Sequence, residues 1–368
     1  MLPTSTDLKT LVLPRATPIQ HFKIAGMFED EYCALPEEFK PFYEYDEENR
    51  QYTLNELEWL RWRKHGPYHR HPDDARYIKH TLGGSDIAAL FDGSALSKSF
   101  HLYDGQHGSN YKCKMELYYE KIEKKLPLAE KKDTDLFWCG HNEEPSIRSI
   151  FKKRYCDDHP LDIVKVINDC HMYQCGIRDK YGALLYPYVL CDLDGLVQIN
   201  GITGILECKT CNKNSEDYKL WVKRIVPLKY YLQICWYMLC MNMPYAYICA
   251  KWGLYLSESC YIYVERDFAV EKLLLDVAKD FIDCVDKHIP PEPDGQNIDR
   301  LFIFWRRKMG NHKPDVPPVK LDRQYRHIVS TLSSINNGLK TYSSLSDDLR
   351  KQRNDILAKD IFPVLGDA

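Results

Sequence analysis

Residues 204–210 read GILECKT, a mostly apolar run that carries a glutamate and a lysine two positions apart. The run predicts a β-strand, and strand side chains alternate between faces. Glu207 and Lys209 then point one way while Leu206 and Cys208 point the other. Burying charges is costly unless they are paired or bind something. Taken alone, an E-x-K pattern also suits a strand with one wet face and an incidental ion pair, because short charged motifs recur by chance. The surrounding sequence has to separate these readings.

Immediately upstream, residues 182–210 read GALLYPYVLCDLDGLVQINGITGILECKT. Strand-like segments alternate there with Asp-Gly and Asn-Gly, both hairpin signals. Asp194 ends one segment just before Gly195. An aspartate before glycine is commonly a turn residue, yet the order carboxylate, turn, strand, Glu-x-Lys lets a hairpin bring Asp194 beside Glu207. Two carboxylates so placed repel unless a cation lies between them. Magnesium binds through carboxylates, waters and phosphate oxygens, so the pair makes sense as a metal site. Lys209, on the same face, can orient or deprotonate a water, or stabilise charge developing on phosphorus. The chemistry implied is metal-assisted phosphodiester hydrolysis.

Composition sets the boundaries. The chain has 368 residues, 44% hydrophobic and 28% charged, ordinary values for a folded protein. No apolar run approaches the roughly 18 residues of a membrane span, and the opening MLPTSTDLKTLVLPRATP lacks the marks of a secretory signal. Many of the 14 cysteines sit singly in apolar runs such as LQICWYMLCM, where cysteine serves as a small hydrophobe. These features predict a reducing, intracellular location and no membrane association. Net charge is −3, so no global basic field announces a nucleic-acid partner. Local basic clusters, EKKLPLAEKK, FKKRY, WVKRIVPLKYY and FWRRKMGNHK, nevertheless permit a basic groove.

Along the chain, residues 1–54 lack a clear period and read as an N-terminal extension, 55–298 as the core domain and 299–368 as a helical C-terminal extension. LNELEWLRWRK looks helical. TLGGSDIAALF is a Gly-Gly turn entering a helix, with Ser85 or Asp86 as N-cap. CGHNEEPSIRSIFKKRY predicts a helix with Glu144, Ile147, Arg148 and Phe151 on one face. PLKYYLQICWYMLCM is apolar nearly all round, hence a buried helix. Leu321, Tyr325, Ile328, Leu332, Ile335, Leu339 and Tyr342 form a short heptad seam, read as an amphipathic helix docked on its own core.

Asp194, Glu207 and Lys209 match the D…E-x-K signature of the PD-(D/E)XK nuclease superfamily. Four further segments match in order. LGGSDIAALF resembles the opening motif of the YqaJ-like viral recombinase family, relatives of phage lambda exonuclease. KMELYYEK and GHNEEPSIRSIF resemble the two segments that follow it, and PLKYYLQICWYML resembles the helix after the catalytic strand, with its characteristic glutamine at Gln233. A last helix running into IPPEPDG looks like that family's ending, so the resemblance covers residues 55–298.

The resemblance implies an α/β restriction-endonuclease-like core, a central mixed β-sheet flanked by helices. It makes Asp194 and Glu207 metal-binding carboxylates, the backbone carbonyl of Cys208 a further ligand, and Glu144 a carboxylate supplied from the helix, with Glu143 as competitor. Lys209 would activate the water, and Gln233 would position water or substrate. Tyr230 and Tyr237 share the face of Gln233 and either back up the site or pack, the latter being favoured. Ser85 would contact the terminal phosphate of DNA. The family's arginine seven residues earlier is replaced here by Ile78, so Arg76 or Lys79 would have to serve. The cofactor implied is Mg²⁺, with Mn²⁺ able to substitute and two ions per site. The activity implied is a 5′-to-3′ exonuclease on linear duplex DNA in viral or prophage recombination, working beside a single-strand annealing protein and assembling as a ring.

Two other readings stay open. One keeps the fold but makes the enzyme an endonuclease, or an exonuclease with an iron–sulfur cluster; Cys208 and Cys211 form a C-x-x-C with Cys170 and Cys175 upstream, but no clear four-cysteine set exists and no cluster is expected. The other is a nonenzymatic DNA-binding or assembly protein on a retired nuclease fold, against which every catalytic position is filled.

Overall fold

The computed structural model describes residues 17–24, 26–65, 80–91, 112–122, 131–292, 301, 303–304, 322–341 and 347–361. The chain forms two compact units, Met1–Ala88 with Lys124–Ala278, and Ala89–Glu123 with Lys279–Ala368. In chain order the strands and helices begin with β1 (Ile19–Lys23), α1 (Glu29–Cys33), β2 (Tyr43–Asp46), β3 (Gln51–Leu54), α2 (Glu56–His65), α3 (Gly84–Ala88) and α4 (Lys114–Ile122). They continue with α5 (Lys131–Asp158), β4 (Val164–Ile167), β5 (His171–Gln174), β6 (Leu190–Asp192), β7 (Leu196–Ile199) and β8 (Ile202–Thr210). Last come α6 (Glu216–Val222), α7 (Leu228–Met241), β9 (Tyr245–Lys251), β10 (Ser259–Glu265), α8 (Phe268–Asp286), α9 (Arg326–Thr341) and α10 (Asp347–Ile356).

The central sheet of the first unit has the order β10-β9-β8-β7-β4. Only β8 and β9 run parallel; the other pairs are antiparallel, so the sheet is mixed. The β7–β8 hairpin closes through Asn200 and Gly201, both left-handed at φ 49° and 86°, the conformation that Asn-Gly adopts readily. A parallel pair needs a crossover, and α6 with α7 supplies the one from β8 to β9. The expected α/β core with a mixed sheet flanked by helices is therefore what the chain forms.

Alternation along β8 sorts the helices. Leu206 and Cys208 pack with Ile147, Phe151 and Tyr155 of α5 in one buried cluster that also takes in Val197, Tyr245, Tyr247, Cys249 and Tyr261. The opposite face of β8 meets α7, which is buried around most of its circumference, as its apolar sequence demands.

A smaller antiparallel sheet, β1-β5-β6, lies in the same unit. Leu82 runs along its edge: its N–H donates to Tyr188 O at 2.7 Å, and its carbonyl accepts from Leu190 N at 3.1 Å. Trp236 of α7 donates its indole N–H to the carbonyls of Leu82 and Leu190 at 3.2 and 3.1 Å, fastening the helix to this sheet. Met27, Phe39, Tyr43, Leu54, Trp62, Met172 and Leu190 close a second buried cluster there.

The helix after the Gly-Gly turn differs from its sequence reading. It starts at Gly84, so neither Ser85 nor Asp86 is the N-cap. Asp86 instead reaches back from the first turn, its Oδ2 accepting the Gly83 N–H at 3.2 Å.

In the second unit α4 buries Met115, Leu117 and Tyr118, and Tyr119 stacks on Phe304 with centroids 5.4 Å apart. On α9 and the turn before it, Tyr325, Ile328, Leu332 and Ile335 are half-buried on a largely exposed element, the pattern of an amphipathic helix; Leu321 and Tyr342 lie outside the described residues. Among the described residues no helix is long and apolar enough to cross a membrane.

Candidate active site

Glu207 sits mid-strand on the α7 side of β8 and is only 1% exposed. Its Oε1 accepts from the Lys209 ammonium and, at 2.8 Å, from Gln233 Nε2. Its Oε2 is buried with no hydrogen-bond partner. The Gln233 amide also donates to the Tyr237 hydroxyl at 3.0 Å. The Lys209 ammonium lies 5.2 Å from the centroid of the Tyr230 ring, which in turn stacks on Trp221 at 5.8 Å and 21°. The charges in the strand therefore face a polar wall rather than water: Tyr230 lies against the Lys209 ammonium, and Tyr237 holds the amide that bonds Glu207.

Asp194 occupies the link between β6, in the small sheet, and β7, in the central one. Its Oδ2 accepts the backbone N–H of Cys208 at 2.8 Å, and the neighbouring Gly195 carbonyl accepts from Leu206 at 3.0 Å. The hairpin thus brings Asp194 beside Glu207 as the spacing suggested, although the reversal itself is made at Asn200-Gly201. Arg148 of α5 donates to the Asp194 carbonyl at 2.7 Å and lies 3.6 Å from Glu144 Oε2. Sequence reading placed Arg148 on the inward helix face without giving it this task. Glu144 Oε1 is 2.8 Å from His141 Nδ1, whereas Glu143 turns to Lys251 of β9 at 2.5 Å. The Cys208 thiol points away, toward the Glu144 carbonyl at 3.9 Å, so the only Cys208 donor on offer to this site is its backbone.

Burial pushes the carboxyl groups of Glu207 and Asp194 above the usual carboxylate range; Asp194 adds to the effect on Glu207, and Glu144 to that on Asp194. Burial alone would lower Lys209, but the negative charges of Glu207 and Asp194 outweigh it and hold the ammonium firmly protonated. The His141 imidazole is raised by its bond to Glu144.

Among the described residues no three His, Cys, Asp or Glu side chains form a ready-made metal cluster. The donor chemistry nevertheless suits a hard divalent cation. Glu207 presents a buried, unpartnered oxygen, Asp194 lies close enough to repel it, and every candidate donor is oxygen. Asp194, Glu207, the Cys208 carbonyl and Glu144 are the groups that would hold such an ion.

Ser85 stands next to this centre. A Cβ added to Gly84 would come within 2.6 Å of Gln233 Cγ and Tyr237 Cε1, so α3 rests its backbone directly on the helix that hydrogen-bonds Glu207. The Ser85 hydroxyl accepts from Arg63 Nη2 of α2 at 2.6 Å. Arg76 and Lys79, the sequence-level candidates for that cation, lie outside the described residues, as does Ile78. Arg63, which the sequence reading did not single out, is the cation that meets Ser85 among the described residues.

The YqaJ-like viral recombinase domain model matches residues 58–244, a span that takes in most of α2, together with α3, Glu144, Asp194, β8 and Gln233. The chain belongs to this family. Among solved structures it is similar to LHK-Exo, an alkaline exonuclease from Laribacter hongkongensis, at 16% identity and a TM-score of 0.37, covering 57% of this chain and 89% of that one. LHK-Exo in complex with dAMP matches at the same identity and TM-score, 16% and 0.37, over 62% of this chain and 93% of that one. No curated protein matches. Family membership supports a nuclease of recombination as the coarse description of this YqaJ-like chain.

Proposed function

We propose that this YqaJ-like chain is a divalent-metal-dependent deoxyribonuclease that shortens linear duplex DNA from a 5′ end, one strand at a time. The observation that carries the reading is Glu207: a carboxylate buried mid-strand, bonded on one oxygen by Lys209 and Gln233 and bare on the other. A purely structural ion pair has no use for a buried oxygen without a partner.

A bound cation, Mg²⁺ or Mn²⁺, would polarise the phosphodiester and favour hydroxide over water. Asp194 and Glu207 would hold it, with the Cys208 carbonyl and Glu144 as further donors. Lys209, kept as an ammonium by its two carboxylate neighbours, offers hydrogen bonds to the attacking water or to the phosphate oxygens as negative charge grows there. Gln233 fixes the Glu207 carboxylate and is itself held by Tyr237. Arg148 fixes the Asp194 main chain. Ser85, beside Gln233, would receive the terminal phosphate, so the scissile bond would lie over Glu207 and Lys209.

Linear duplex labelled at either the 5′ or the 3′ end, together with a closed circle, tests the reading. Mononucleotides should leave the 5′ end in Mg²⁺, and the circle should survive. Release that persists in excess chelator would overturn the metal requirement, and cutting of the circle would make the enzyme an endonuclease.

A further inference from the structure

We infer that the tip of the β9–β10 hairpin, Leu254 to Leu256, lies in a groove of the duplex beside the site, with Lys223 and Arg224 on the flanking phosphates. This rests on the function proposed above and adds a contact surface to it. Leu254, Tyr255 and Leu256 are 91%, 72% and 46% exposed, three apolar residues in a row at a turn. Neighbouring apolar side chains left in water mark a surface that something else covers. The tip is nonetheless held stiffly. Tyr255 N donates to Glu258 Oε2 at 3.1 Å, Trp252 N donates to the Glu258 carbonyl at 2.9 Å, and the Glu258 carboxylate also pairs with Lys213. The Leu256 carbonyl accepts from Ser259 Oγ at 2.6 Å and from Arg154 of α5 at 3.2 Å. All of this bracing uses main-chain atoms and Glu258, so the three apolar side chains remain on offer to a ligand.

The hairpin opens at the same end of the sheet as the site. β8 and β9 run parallel, with Lys209 beside Ala250 and Thr210 beside Lys251, and Cys211 N donates to the Lys251 carbonyl at 2.8 Å. Between Ala250 and Tyr255 the chain extends at most about 18 Å, so the tip lies within about 20 Å of Lys209. That is about six base-pair steps of duplex. Charge then says what covers the tip. Helix α6 is fastened to the hairpin by Tyr218, edge-on to Trp252 at 5.7 Å, and by the Lys213–Glu258 pair. The acids of this surface each have a lysine: Glu216 has Lys219, Asp217 has Lys229 and Glu258 has Lys213. Lys223 and Arg224, at the end of α6, are exposed and make no ion pair among the described residues. The surface therefore carries surplus positive charge on a chain whose net charge is −3. Apolar side chains in a groove and cations on phosphates together grip a duplex without reading its sequence. A second copy of the chain would instead bring like charges together.

The test is fluorescence anisotropy of a labelled linear duplex with the full chain in Ca²⁺, over a series of salt concentrations, with melting temperature as the folding control. Joint replacement Leu254→Ala and Tyr255→Ala should weaken binding about tenfold at every salt concentration, the scale of lost stacking and groove contact, without changing the salt slope. Lys223→Ala and Arg224→Ala should each lower the slope of log affinity against log salt by about one, because each removes one phosphate contact. In Mg²⁺ the tip variant should raise KM for duplex more than it lowers kcat. Parent-like binding by the tip variant, or an unchanged salt slope in both cation variants, would overturn the inference. So would a change in the mass of the DNA-free tip variant by light scattering, which would make the tip a contact between copies. A parent that binds duplex but releases no nucleotide in Mg²⁺ would sink the proposed function and leave the tip to be decided by anisotropy. If Arg224→Ala fails to fold, Lys223→Ala and the tip variant carry the decision.

Discussion

The proposed hydrolytic centre around Glu207 and the Arg63–Ser85 pair lie one residue apart through Gly84, yet they are built in opposite ways. Around Glu207 the partners come from β8 itself, the link into β7 and the face of α7. A regular period places each of them except Asp194, which sits in a link. The Arg63–Ser85 pair joins side chains 22 residues apart in sequence, one of them from a five-residue helix, and nothing periodic relates them. The centre is also buried and charge-dense, with carboxyl groups raised by burial, whereas Ser85 faces solvent.

The comparison breaks most sharply at Glu207. Glu207→Gln should lower hydrolysis by on the order of a thousandfold or more while duplex binding in Ca²⁺ persists, because an amide keeps the shape but loses the charge that holds a cation. Lys209→Ala should cost on the order of a hundredfold. Single-turnover rates check both, and either variant digesting at the parent's rate would misplace the centre.

Metal binding provides a readout independent of turnover. Because burial raises Glu207 and Asp194, the metal-free folded protein holds protons that the unfolded chain has released. Their stabilising contribution is complete below the ordinary carboxylate range and is lost as pH climbs through the raised values. A cation competes with those protons, so the gain in melting temperature on adding Mg²⁺ or Mn²⁺ should be larger near about pH 8 than near about pH 5. Glu207→Gln should remove most of the gain. A gain independent of pH, or unchanged in that variant, would point to a cation elsewhere.

Gly84→Ala and Gly83→Ala sharpen the contrast within one turn of chain. The first forces a methyl against Gln233 and Tyr237 and should destabilise the fold by about 1–3 kcal/mol, with a fall in kcat. The second meets the end of the Arg63 side chain, which can shift, so it should leave melting and hydrolysis nearly unmoved. The smallest effect belongs to Tyr230→Leu. Losing the ring beside the Lys209 ammonium removes about 0.5–1 kcal/mol and should slow hydrolysis only a few-fold.

How legible each part was follows from these constructions. Alternation in a strand places Glu207 and Lys209 together and separates them from Cys208 without any knowledge of neighbours. Helical spacing likewise points Glu144 and Arg148 inward with Phe151, and an all-apolar sequence buries α7. Asp194 needed one further assumption, a hairpin, which Asn200-Gly201 provides. Arg63 gave a weaker sign: in LEWLRWRK it reads as one cation among several, and the only hint is Trp59 four residues before it. Arg76 and Lys79, sought by their chain offset from Ser85, lie outside the described residues.

By itself, then, the amino-acid sequence determined the strand that carries the charges, the face they share, the helices on either side and the oxygen-rich chemistry they favour, because secondary-structure periods are local and repeat. Only the tertiary structure decided which cation meets Ser85, why Asp86 rather than Ser85 closes the helix end, and that Glu207 keeps one oxygen bare. Those outcomes depend on Leu82 running along Leu190, on Trp236 reaching both of their carbonyls, and on a glycine that lets one backbone lie against another helix. Such contacts join residues far apart in the chain, and their geometry is fixed by close packing, which no local pattern records.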